Sequence, residues 1–176
     1  MKTRHVLVVA LAALAFATAA SANSTFYYQR TSLTNSVFDV LASQGYWLGD
    51  IRAGSGSGTD ACQHNNWIPL GDYNILFHDD NYPGSDIQGR VWRLSDYHCS
   101  NGVWRTQLFV HSEETSAQGQ SCGPAGTDYK FCWEGDHDYY SLGCVKLARR
   151  PTPSDLGRVD NFVHAYGMAR DLLVYN

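Results

Sequence analysis

Tyr73-Asn-Ile-Leu-Phe77, Gln88-Gly-Arg-Val-Trp-Arg-Leu94 and Trp104-Arg-Thr-Gln-Leu-Phe-Val110 decide the fold class. Each run is short and carries aromatic or β-branched side chains, which fit a pleated, half-buried surface, so each predicts a strand. Between them, Asp80-Asn-Tyr-Pro-Gly84 and Cys99-Ser-Asn-Gly102 are rich in turn formers and predict the connections. Strands spaced in this way predict an antiparallel or mixed β core. Working outward toward the C-terminus, Leu156, Val159, Phe162, Val163 and Tyr166 fall on one stripe of a 3.6-residue period behind Ser154, an N-cap residue. One helix is expected there, then a closing strand at Leu172-Leu-Val-Tyr175. Toward the N-terminus, Gly54-Ser-Gly-Ser-Gly58 predicts a loop. Ser36-Val-Phe-Asp39 resembles a capping box, with Asp39 in place of the usual Glu or Gln, and predicts a short helix to about Ser43. The fold class expected is therefore mainly β, in a single domain, with one or two short helices.

The chain has 176 residues, a length suited to one domain. Its 44% hydrophobic and 17% charged residues exclude a disordered or collagen-like chain. Residues 1–22 read as a secretory signal: Lys2 and Arg4 lead an uncharged apolar run, Val6 to Ala17, and Ala20-Ser21-Ala22 offers small residues for cleavage. The apolar run is short for a membrane span, so no stable anchor is expected after cleavage. Loss of the signal changes the formal net charge from −4 to −6. An acidic chain without a clustered basic face is not a nucleic-acid binder, because phosphate neutralisation needs such a face. Export would place the five cysteines where disulfides persist, and an odd number cannot all pair within one chain.

Candidate chemistry centres on Cys144 in Ser141-Leu-Gly-Cys-Val-Lys-Leu147. Gly143 before it allows a sharp turn and close approach of backbone to substrate. A thiol becomes a nucleophile as its thiolate, and histidine is its common base. His111 closes the run Gln107-Leu-Phe-Val-His111, at the end of an expected strand that would hold it rigidly. His137 lies in Glu134-Gly-Asp-His-Asp138, which reads as a solvated acidic turn, and His64, His78, His98 and His164 have no comparable local context. Asp79-Asp80-Asn81 with Asp86 lacks the spacing of a calcium loop and reads as a turn. The 13% aromatic content suits strand packing better than a glycan-binding face.

Three ordered blocks resemble the L,D-transpeptidase catalytic domain (YkuD-type), a family acting on peptidoglycan stem peptides. They are Ile68-Pro-Leu-Gly-Asp-Tyr73, Phe109-Val-His-Ser112 and Ser141-Leu-Gly-Cys-Val-Lys-Leu147, followed by the Ser154 helix. The resemblance covers residues 67–176; residues 23–66 are expected to be a lead-in packed on the same domain. His preceding Cys is the reverse of papain-like order. Two departures stand out: Leu142 occupies the family's His position, and His111 and Cys144 are 33 positions apart, a longer separation than is usual. Lys146 also replaces the Arg of many members, keeping the charge without the bidentate fork.

The resemblance implies a mixed β-sandwich or barrel, with Cys144 as nucleophile and His111 as general base. Ser112 and Ser141 would orient the base and shape the site, and backbone amides around Leu142, Gly143 and Cys144 would form an oxyanion hole. Lys146 would support the loop or meet a substrate carboxylate. Neither cofactor nor metal is expected. The expected pairing is Cys62–Cys99 and Cys122–Cys132, resting on the flanking turns and on a free Cys144, although one unpaired cysteine of five allows 15 arrangements. The implied protein is a secreted enzyme, outside the cell or in a periplasm, that cross-links or trims stem peptides. A non-catalytic wall- or glycan-binding module, and an exported toxin using the same chemistry, are the alternatives.

Overall fold

The computed structural model describes residues 22–124, 129–149 and 154–176. Ten strands follow one another: Ser24–Gln29 (β1), Ser36–Ala42 (β2), Trp47–Ser55 (β3), Gly71–Pro83 (β4), Gln88–Leu94 (β5), Tyr97–His98 (β6), Trp104–Arg105 (β7), Phe109–His111 (β8), Val145–Leu147 (β9) and Ala169–Tyr175 (β10). Among the described residues one helix, Asp155–Tyr166 (α1), precedes β10, and a single 3-10 turn spans Asp136–Tyr139. Eight strands close into a barrel in the order β1-β10-β4-β5-β8-β9-β3-β2, while β6 and β7 form a separate two-stranded ribbon. The fold is thus mainly β. Closure leaves the eight barrel strands without a free edge. Two neighbouring pairs are parallel, β1 with β10 and β8 with β9; the other neighbours are antiparallel.

Alternation along the strands builds the core. Phe26 and Tyr28 from β1, Phe38 and Val40 from β2, Trp92 and Leu94 from β5, and Leu172 and Val174 from β10 are all buried together. Phe26 packs edge-on against Phe38 at 5.1 Å and Trp92 at 5.4 Å between ring centroids. The helix adds Leu156, Val159 and Val163 to the same core. Its start follows the sequence reading: Ser154 Oγ accepts the Gly157 amide at 2.9 Å. The final strand also forms where it was expected.

Four local expectations are corrected. The short helix over Ser36–Ser43 is strand β2, with Ser36, Phe38, Val40 and Ala42 buried and Leu41 exposed. A run of five residues fits both periods, and the valines and phenylalanine favour the pleat. The supposed cap closes a turn instead: Ser36 Oγ donates to the Ser32 carbonyl at 2.6 Å and accepts the Thr31 amide at 3.0 Å. Asp39 reaches across to the Asp50 amide at 2.9 Å. Secondly, the expected loop at Gly54–Gly58 begins later, since Gly54 and Ser55 pair with Lys146 and Val145 as the end of β3.

The expected strand Trp104–Val110 is broken into β7 and β8, with Gln107 at φ 55° between them. Finally, β4 runs on to Pro83 through a register shift between Asp79 and Tyr82, so the turn begins at Gly84 rather than at Asp80. The Cys99–Gly102 turn is present, closed by the Gly102 amide on the Cys99 carbonyl at 2.9 Å.

Residues 23–66 supply β1, β2 and β3 of the barrel. The disulfides are Cys62–Cys99 and Cys122–Cys132, and Cys144 is free and buried. Most of the expected signal, residues 1–21, lies outside the described residues. Among the described residues no helix is long and apolar enough to cross a membrane.

Candidate active site

The parallel pairing of β8 and β9 brings the two chemical blocks together. Val110 pairs with Val145 and His111 with Lys146, so Cys144 lies just before β9 on the strand neighbouring His111. Both side chains are 6% exposed and line one cavity of about 800 Å³. Phe77, Tyr82, Ile87 and Phe109 give it an apolar lining; Arg93 and Lys146 add positive charge, and Tyr140, Ser141 and Leu142 also line it. A second cavity of about 310 Å³, bounded by Ser112, Glu113 and Lys130, shares Asp86, His111 and Lys146 with the first.

Burial and local charge set the protonation states. His111 is held neutral: burial, helped by the adjacent Lys146 cation, pushes its pKa down to about 3, against the opposing pull of the Ser112 carbonyl. That carbonyl lies 3.0 Å from Nδ1 and can only accept, so Nδ1 carries the proton and Nε2 is left as the basic nitrogen. The Cys144 thiol is also neutral, pushed up to about 11 by burial; the Phe109 amide and the Lys146, Arg93 and Arg105 cations oppose this. Its sulfur lies 3.6 Å from the Gln107 carbonyl, which is exposed to it by the break between β7 and β8. The resting pair is therefore thiol and imidazole, not thiolate and imidazolium.

The turn before Cys144 is tied from within. Ser141 Oγ donates to the Cys144 carbonyl at 2.7 Å and accepts the amides of Gly56 at 2.8 Å and Gly143 at 3.1 Å. Ser141 thus fixes the turn before Cys144 to the end of β3. The Gly143 amide, expected in the oxyanion hole, is spent on this bond. Gly143 has φ +111°, and a Cβ there would come within 2.0 Å of Arg105 Nη2, so only glycine fits. Leu142 is 74% exposed at the rim.

Lys146 is nearly buried and ion-paired with Glu113, an arrangement that holds the charge beside His111. Glu114, next in the chain, accepts the Arg90 amide at 2.7 Å and the Arg90 guanidinium Nε at 3.1 Å, anchoring the loop that follows β8. The Ser112 side chain has no hydrogen-bond partner among the described residues, and its carbonyl orients His111. His137 sits in the 3-10 turn, where Asp138 accepts the Gly135 amide at 2.7 Å and contacts His137 at 2.9 Å.

Sequence reasoning missed Arg93 and Arg105. Arg105 is buried against Gly143 and donates to the carbonyls of Ala61, Asn66 and Trp67. Arg93 caps the Phe109 ring at 5.3 Å and pairs with Asp96 at 2.6 Å. Charged residues in short strands gave little warning; the one available signal was a cation within a run expected to be buried.

Fold and site together define a closed mixed β-barrel with a buried cysteine and histidine sharing a cationic cavity. Compared with known protein families, curated proteins and solved structures, the chain matches none.

Proposed function

We propose that this protein is a secreted cysteine acyltransferase or peptidase of the L,D-transpeptidase type, acting on peptidoglycan stem peptides through a Cys144 thioester. The observation that carries the reading is the neutral His111, its Nδ1–H directed to the Ser112 carbonyl, in one cavity with the free Cys144. The three sequence blocks add the substrate class, and the two disulfides suit an exported chain.

In the first half-reaction His111 Nε2 takes the proton from Cys144 Sγ as the sulfur attacks the carbonyl carbon of the donor peptide. The three nearby cations, Arg93, Arg105 and Lys146, favour the negative charge that develops on sulfur and then on the carbonyl oxygen. The peptide C–N bond breaks, the imidazolium returns its proton to the departing amine, and a thioester remains. An acceptor amine or water then attacks; His111 removes the nucleophile's proton and returns a proton to the departing sulfur. The smaller cavity, which shares Asp86, His111 and Lys146 with the first and adds Glu113, offers the acceptor an approach.

The test is incubation of tetrapeptide muropeptides with wild type, Cys144→Ala and His111→Gln. Wild type is expected to release the terminal residue or form cross-linked product, and both variants to lose this activity. Equal product from wild type and Cys144→Ala rejects the proposal. A second reading, a wall-binding module without turnover, is favoured by the internal use of the Gly143 amide and by the exposed Leu142. It predicts muropeptide binding that Cys144→Ala leaves unchanged, with no product.

A further inference from the structure

On the flank of β4 away from the cysteine chemistry, four ligand-bearing side chains converge: His78 and Asp80 from β4, Asp160 and His164 from α1. Positions two apart on a strand share a face, and positions four apart on a helix share a face. The packing of α1 onto the barrel turns these two faces together. His78 Nε2 lies 3.2 Å from Asp80 Oδ1 and 3.4 Å from Asp160 Oδ1. His164 Nε2 lies 3.3 Å from Asp160 Oδ1 and 3.8 Å from Asp80 Oδ2. One ligand atom from each residue lies within 4.8 Å of all the others.

The four side chains already meet at ion-pair distance, but not in hydrogen-bond geometry. Among the described residues, His78 Nε2, Asp80 Oδ1 and Asp160 Oδ1 are buried without a hydrogen-bond partner, and Asp160 as a residue is 9% exposed. Buried polar atoms left in this way are costly, and three of them pointing at one spot call for a common partner. Zinc bonds to imidazole nitrogen and carboxylate oxygen are about 2.0–2.2 Å long, so a tetrahedron of such ligands has edges of about 3.3–3.6 Å. Three of the four contacts, at 3.2–3.4 Å, lie close to that spacing, and the fourth, from His164 to the second Asp80 oxygen, is 3.8 Å. The donor set also suits zinc: two borderline imidazoles and two carboxylates, which offset the charge of a divalent ion. His78 is already oriented by stacking on Trp92, with 4.7 Å between rings and 18° between planes. The nearby Arg90 cation is committed to Glu114.

We propose that His78, Asp80, Asp160 and His164 form a structural zinc site that clamps α1 to β4. Four protein ligands complete the tetrahedron, as in structural rather than catalytic zinc centres. The clamp also bears on the cavity, because Phe77 and Tyr82, on either side of the His78–Asp80 segment, belong to its apolar lining.

The test uses chelator-treated, full-length Cys144→Ser protein, which removes the one free thiol as a competing ligand. Titration with CoCl2 should give one equivalent bound, with the intense visible absorption of four-coordinate cobalt. ZnCl2 should displace it and raise the melting temperature by several degrees. His164 is half-exposed, so His164→Ala leaves the core packed; it should weaken binding by about a hundredfold and abolish the zinc-dependent rise in melting temperature. Asp160→Asn should do the same. His137→Ala removes a ligand from the other His and carboxylate cluster, Glu134, His137 and Asp138, and should leave binding unchanged. Absence of a four-coordinate cobalt spectrum, equal affinity in His164→Ala, or loss of binding in His137→Ala would each overturn the proposal.

Discussion

At the residue scale the site turns on a thiol and an imidazole that are both neutral at rest. Burial dominates each shift, raising Cys144 to about 11 and lowering His111 to about 3. Because the thiol titrates so high, its thiolate fraction should rise tenfold per pH unit across the neutral range. Alkylation of the free protein by iodoacetamide should therefore be slower at pH 7 than that of free cysteine, and should keep accelerating toward about pH 11. A rate plateau below pH 8 would contradict the assignment. Slow alkylation consequently does not separate an enzyme from a binding module, since a thiol activated only during attack behaves in the same way. Gly143 permits a second prediction. Gly143→Ala combines an unfavourable φ with a clash against Arg105 and should cost roughly 2–4 kcal/mol in urea unfolding. Cys144 and His111 were legible because chemistry restricts them to a few residue types in a few contexts. Arg105 was not, because its partners are carbonyls that only the fold assembles.

At the element scale, legibility followed the length of the signal. Helix α1 carries five apolar positions on one stripe and a serine cap, more than a strand pattern can imitate, and it forms where expected. Strand β2 offered five apolar-rich residues, too few to separate a period of 3.6 from one of 2; its partners β1 and β3 decide the matter. The same register places Phe38 in the core against Phe26. Phe38→Ala should then cost about 3–5 kcal/mol. Urea unfolding measures the loss. The break between β7 and β8 was illegible for another reason: Gln107 adopts its positive φ in a run whose local preference is extended. That break turns the Gln107 carbonyl toward Cys144, so local preference yields where the site is built.

At the scale of the whole molecule, the barrel explains how distant blocks meet. Parallel pairing of β8 with β9 places His111 beside the segment of Cys144 across 33 positions of sequence, and the Cys122–Cys132 bridge lies within that intervening chain. Sequence patterns revealed a mixed β core but not its closure, because closure depends on β1 meeting β10 from opposite ends of the described chain. The two disulfides differ in the chain they constrain. Cys62–Cys99 spans 37 positions and Cys122–Cys132 spans 10. Loop-closure entropy assigns them roughly 4 and roughly 3 kcal/mol respectively. The Cys62→Ala/Cys99→Ala pair should thus lower the urea midpoint more than Cys122→Ala/Cys132→Ala. The central claim, acyl transfer through Cys144 with His111 as base, is tested most directly by the intact mass of the protein after brief exposure to a tetrapeptide muropeptide. Wild type should carry one acyl adduct mapped to Cys144, which disappears with added acceptor amine, and His111→Gln should carry almost none. An unmodified wild type that binds the muropeptide, or an adduct formed equally by His111→Gln, would contradict the account.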